Sequence, residues 1–175
     1  KYQRYAAENV LTDAQIQTIK NWVTQNAPQG NPSAAPPMPT FPRGSQIGTP
    51  DIVLRAPTYT IPTLTSDLYR CFVVPGGVNV DRFLSAMEVI PGNANVVHHV
   101  LIYQDTTGRG RTLDAADPEP GYTSFGGVGI DNPPLLGAWV PGAKVHRFPQ
   151  NMGVRLSANA DLIVQIHYPR GSTGQ

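Results

Sequence analysis

From Asp51 onward, short apolar runs alternate with turn-forming residues, and this punctuation restricts the chain to short strands. The runs are Ile52-Val53-Leu54, Tyr69 to Val74, Phe83 to Ile90, Val96 to Tyr103, Val154-Arg155-Leu156 and Leu162 to Tyr168. Between them stand Pro75-Gly76-Gly77, Pro91-Gly92-Asn93, Pro141-Gly142 and Ala158-Asn159-Ala160-Asp161, which supply the restricted or permissive φ that turns need. No helical periodicity separates the runs, which argues against βαβ units and for an antiparallel sandwich. With 18 Pro, 17 Gly and 14% charged residues the composition agrees, and 40% hydrophobic residues argue against disorder. The expected fold is therefore an all-β antiparallel sandwich over residues 51–175. One long stretch, Thr106 to Pro134, has little periodicity and is expected to be a functional loop or a cover for a sheet edge.

Ahead of the strands the pattern differs. Thr12 followed by Gln15 is a capping box, and Ile16, Ile19, Trp22 and Val23 follow at helical spacing, so one short helix is expected over roughly 12–26. Ala27-Pro28 and Gly30 end it, Gly30 being expected to take the left-handed turn. Asn31 to Pro50 is rich in Pro, Ser, Ala and Gly and reads as an extended linker. The predicted organisation is a helical tail over 1–30, a Pro-rich linker over 31–50 and the β-sandwich over 51–175.

A formal net charge of +1, with Lys and Arg scattered, leaves no basic stripe for phosphates, which excludes nucleic acid as the expected partner. No apolar run approaches the roughly 18–20 residues that cross a bilayer. Cys71 is alone, so no intrachain disulfide forms, and its setting in Tyr69-Arg70-Cys71-Phe72 reads as a buried structural thiol. The chain opens at Lys1 and stops just beyond a predicted strand, and is read as a piece of something longer.

The chemistry is carried by histidine. Of four in the chain, His98, His99 and His167 fall in predicted strands. A sheet interior is costly for an imidazole unless both nitrogens find partners, and a metal partners several at once. Three neutral imidazoles suit copper or zinc. Adjacent strand residues point to opposite faces, however, so His98 and His99 reach one ion only through a bulge, a twist or a sheet edge. Spacing alone leaves two readings: a metal site, or histidines bonded to backbone or exposed at an edge. Gln165, two residues before His167, is a candidate to hydrogen-bond a ligand, or an inward amide satisfied by a neighbouring strand. His146 beside Arg147 reads as a surface residue, and Met152 as turn packing more than a soft ligand. Asp114, Asp117 and Glu119 read as solvated loop charge, and Gly126-Gly127-Val128-Gly129 lacks the Lys of a phosphate loop.

Over roughly 65–170 the chain resembles the copper type II, ascorbate-dependent monooxygenases, the family of peptidylglycine α-hydroxylating and dopamine β-monooxygenases, and especially their bacterial relatives. The resemblance rests on the order and spacing of Asp67-Leu68-Tyr69-Arg70-Cys71-Phe72, Val96-Val97-His98-His99-Val100-Leu101, Gly137-Ala138-Trp139-Val140-Pro141-Gly142 and Val164-Gln165-Ile166-His167-Tyr168. It implies a jelly-roll-like antiparallel sandwich in which His98, His99 and His167 bind one copper ion, with Gln165 and Tyr168 as candidate neighbours of the ligands. It implies ascorbate or a cytochrome as electron donor, export to the periplasm, cell surface or exterior, and a following domain with a second copper, where oxygen is activated. Without that domain the chain is expected to accept and store an electron but not to complete a hydroxylation. The helix, with Leu11-Thr12-Asp13-Ala14 and Trp22, resembles the last helix of a bacterial cytochrome c domain, which makes a haem domain upstream a further expected partner. No Cys-x-x-Cys-His occurs, so the chain carries no haem motif of its own. The competing expectation is a non-catalytic, metal-stabilised sandwich acting as a binding or structural module. A zinc hydrolase ranks last, because no general base is evident near the histidines.

Overall fold

A computed structural model describes residues 10–40 and 44–174; the first nine residues of the expected helical tail, positions 41–43 of the expected linker and residue 175 lie outside the described residues. The chain divides into two units, 1–41 and 42–175. In the first, helix α1 runs Asp13–Thr24, and Thr12 and Gln15 close the capping box at its start. The left-handed residues that end it are Asn26 and Ala27, not Gly30, and the Trp22 indole N–H donates to the Pro28 carbonyl at 3.0 Å, folding the chain back on the last turn. The apolar stripe of Ile16, Ile19, Trp22 and Val23 is exposed. A single 3-10 turn, Pro32–Ala34, interrupts the expected linker, with the Asn31 side chain accepting from the Ser33 N–H.

The second unit is built from antiparallel strands. They are β1 (Leu68–Pro75), β2 (Arg82–Leu84), β3 (Ala86–Met87), β4 (His99–Asp105), β5 (Tyr122–Thr123), β6 (Leu135–Trp139), β7 (His146–Arg147), β8 (Val154–Leu156) and β9 (Asp161–Tyr168), with helix α2 (Arg109–Ala116) between β4 and β5. Five of them form a sheet in the order β5-β1-β9-β4-β6, and β2-β8 and β3-β7 form two-stranded ribbons. Alternation along β9 sorts the side chains. Leu162 and Tyr168, with Val164 and Ile166 beside them, join Val100, Ile102, Leu136 and Leu156 in one core that includes the ribbons. Ile163 joins Cys71, Tyr122 and Val128 in a second core on the opposite face, where Leu113 of α2 packs. Buried Gln104 ties the layers together, donating to the Arg155 carbonyl and accepting from the Ser157 N–H.

The small all-β, antiparallel character expected from the sequence is present, while several elements differ in detail. Ile52-Val53-Leu54 forms no strand and stays exposed. The run from Phe83 to Ile90 breaks at Ser85 into β2 and β3, which pair with different partners. The stretch over 106–134 contains α2 and β5. Helix α2 has no apolar stripe to announce it; it starts because the Asp105 carboxylate accepts from the Gly110 N–H at 2.7 Å and from the Thr107 N–H at 2.8 Å. In β6, Gly137 interrupts the apolar pattern, and the Met87 side chain fills the space that a Cβ there would need.

The loop after α2 is fastened by Arg70, which is 3% exposed. Its guanidinium holds Asp117 through two bonds of 2.9 and 3.0 Å, donates to the Pro120 and Gly121 carbonyls, and lies 5.1 Å from the Tyr59 ring centroid. The Arg70 side chain holds the Asp117 carboxyl below its ordinary value. Because that folded-state value is depressed, the contribution of Asp117 is present above the ordinary carboxylate range and lost as pH falls through the lowered value. Asp117→Asn is expected to flatten the acid limb of the stability profile in urea titrations, and an unchanged acid limb would refute this role. Gly121 has φ +77°, and a Cβ there would lie 2.5 Å from the Cys71 carbonyl oxygen. Gly121→Ala should lower unfolding free energy by about 2–3 kcal/mol, read as a shifted denaturation midpoint.

Candidate metal centre

The register of the three central strands assembles the site. His167 of β9 lies opposite Tyr69 of β1 on one side and opposite His99 of β4 on the other, so the three side chains share one rung and one face. His98 joins them because β4 begins only at His99: residues 94–96 are a turn, and His98 lies between turn and strand, its N–H bonded to the His167 carbonyl at 2.9 Å. The face conflict expected from strand alternation therefore does not arise, since only one of the two neighbours is held by the pleat.

The three histidines bring their Nδ1 atoms together. His98 and His99 are 3.2 Å apart at these atoms, His167 and His98 3.2 Å, and His167 and His99 3.3 Å. They form a group able to hold a metal ion. Three nitrogens each about 2.0–2.1 Å from a tetrahedral ion stand about 3.3 Å apart, so the spacing fits an N₃ donor set. Burial of the ligands is graded: His98 is exposed, His99 half-buried and His167 6% exposed. Burial, and after it the charges of His167 and His98, hold His99 below its ordinary pKa, which favours the neutral, ligating imidazole.

Two residues brace His167. The Tyr69 ring stacks on the imidazole with centroids 4.3 Å apart and planes 4° from parallel. The Asp67 carboxylate lies 3.0 Å from His167 Nε2, and its other oxygen accepts from the Arg170 N–H at 2.9 Å. The Arg170 N–H, and after it His167, keep Asp67 below the usual carboxylate value. Sequence reasoning passed over both as separate signals, although they stand two residues apart in the segment that carried the resemblance.

The remaining candidates lie elsewhere. Both amide hydrogens of Gln165 go to carbonyls, of Ser124 at 3.0 Å and Gly127 at 2.6 Å, so this side chain fastens a loop and gives no N–H to a ligand histidine. That loop presents Phe125, exposed, with its ring edge-on to Tyr69 at 5.1 Å. Tyr168 points to the opposite face and stacks on Tyr59 within the core, so it is no neighbour of the ligands. His146 sits exposed in β7, edge-on to Phe148, and Met152 is exposed in the turn before β8. Cys71 is fully buried, and burial raises its thiol to about 12.

A divalent ion that binds the folded site alone stabilises the fold. At a free concentration of a hundred times Kd the gain is about 2.7 kcal/mol, seen as a rise in Tm. His98→Ala, His99→Ala and His167→Ala should each abolish most of that rise, whereas His146→Ala should leave it intact. No protein-family model matches the chain and no curated protein sequence matches it, so the reading of the site rests on its own residues.

Proposed function

We propose that the chain is the copper-binding, electron-accepting domain of a copper- and ascorbate-dependent monooxygenase, built on a jelly-roll-like sandwich and exported from the cell. The observation that carries this reading is the triangle of Nδ1 atoms from His98, His99 and His167 at 3.2–3.3 Å. An all-imidazole set with no thiolate or carboxylate ligand accepts copper as it accepts zinc, and the choice of copper comes from the surrounding motifs. The motif order around Asp67, His98, Trp139 and His167 points the same way.

Copper bound there would supply one-electron storage, cycling between Cu(II) and Cu(I). The protein's part is to hold three neutral imidazoles in one place and to leave one side open. His167 anchors the set in the sheet, His99 fixes its height through the strand register, and exposed His98 faces solvent where a small reductant or a cytochrome arrives. Hydroxylation of substrate belongs to a second copper on a following domain, and a haem domain upstream is a candidate donor.

Copper titration is expected to load one ion per chain, and ascorbate to erase the Cu(II) electron paramagnetic signal. In His167→Ala the same titration should show no tight site; unchanged copper stoichiometry would falsify the assignment. A parent protein that keeps zinc equally well and whose copper ascorbate does not reduce is instead a metal-stabilised binding or structural sandwich.

A further inference from the structure

We infer that Asp67 is a positioning residue that sets the tautomer of His167 and, through it, the charge preference of the metal site. The inference rests on the copper reading above. Asp67 stands immediately before β1, and Arg170 two residues beyond the end of β9. The Leu68↔Tyr168 pairing brings those two chain ends together, so the β1–β9 ladder itself aims the carboxylate. One carboxylate oxygen is engaged by the Arg170 N–H at 2.9 Å. The other is 3.0 Å from His167 Nε2.

An ionised carboxylate can only accept hydrogen bonds. The proton of the neutral imidazole must therefore sit on Nε2, which leaves Nδ1 as a bare lone pair. That lone pair is the atom 3.2 Å from His98 Nδ1 and 3.3 Å from His99 Nδ1. Of the three histidines, His167 is the one whose other ring nitrogen meets a carboxylate, among the described residues. Tyr69, stacked parallel on the ring, opposes rotation of the imidazole about its Cβ–Cγ bond, and the Asp67 contact fixes which ring edge faces away from the other histidines. A negative acceptor behind a ligand also raises the basicity of the ligating nitrogen. It therefore stabilises Cu(II) over Cu(I) and holds the midpoint potential down.

Two variants separate this from simple packing. Asp67 is half exposed, so its replacement leaves the core untouched. Asp67→Asn keeps an oxygen for the Arg170 N–H, which turns its NH₂ toward His167 Nε2. That donor requires a lone pair on Nε2, pushes the ring proton to Nδ1 and blocks the ligand atom. Asp67→Ala leaves the ring free to choose. Cu(II) affinity should therefore fall about 10–100-fold in Asp67→Ala and further in Asp67→Asn, the reverse of the order that size conservation would give. Each tenfold loss confined to Cu(II) raises the midpoint potential by about 59 mV. In the metal-free protein, nitrogen NMR of the histidine rings should find His167 protonated at Nε2 in the parent and at Nδ1 in Asp67→Asn.

A parent ring protonated at Nδ1 overturns the inference without reference to any metal. So does Cu(II) affinity in Asp67→Asn equal to that of a copper-binding parent. A parent that binds no Cu(II) overturns the copper reading and the role of Asp67 toward it together, and the parent titration alone distinguishes that outcome.

Discussion

Strand β9 is hydrogen-bonded along both edges, to β1 from Leu68↔Tyr168 through Pro75↔Asp161 and to β4 from His99↔His167 through Asp105↔Asp161. The rest of the site depends on that double pairing. A slip of one residue in either ladder would send every side chain of the slipped strand to the other face. It would separate His99 from His167, or Tyr69 from the ring it stacks on. The hydrophobic faces forbid such a slip, because Leu162, Val164, Ile166 and Tyr168 belong to one core and Ile163 to the other. Core packing and the geometry of the histidine group are thus held by the same register.

On the histidine-bearing face, polar side chains do what the apolar pattern does elsewhere. The excursion between β4 and β6 is pinned by Asp105 to the start of α2, by Asp161 to Arg111, by Gln165 to Ser124 and Gly127, and by the Tyr122 hydroxyl to the Val128 carbonyl. At the sheet edge buried Arg70 holds Asp117 and the carbonyls that follow it. Buried polar groups are costly when unpartnered and specific when satisfied. Among the described residues no buried side-chain nitrogen or oxygen lacks a partner. The loop that carries Phe125 to the rim beside Tyr69 is therefore held by Gln165 from within the sheet.

The metal centre combines order with access. His167 lies in the sheet, stacked on Tyr69 and in contact with Asp67, which together hold its ring. His98 lies where the strand has not yet begun and remains exposed. The electron-accepting role proposed above would draw on both qualities: ligands rigid enough to hold one geometry, and one side that a donor can approach.

Much of this was legible in the residues alone. Alternation and turn chemistry marked β1, β8 and β9, the capping box marked α1, and three histidines in strand-like runs marked the metal group. Local pattern failed where structure depends on distant partners. Helix α2 is started by Asp105 and closed by packing of Leu113; β5, β6 and β7 are too short or too interrupted to show a period; and Ile52-Val53-Leu54 has the composition of a strand but no strand to pair with. The sequence by itself singled out His98, His99 and His167, because imidazole is the one side chain here with a neutral nitrogen lone pair and these three stand in strand-like apolar runs. Only the tertiary structure decided that His98 escapes the strand, that Asp67 reaches His167 across 100 residues of chain, and that Gln165 serves a loop instead. Those outcomes follow from register and strand ends, which are properties of pairing between segments and of no segment alone.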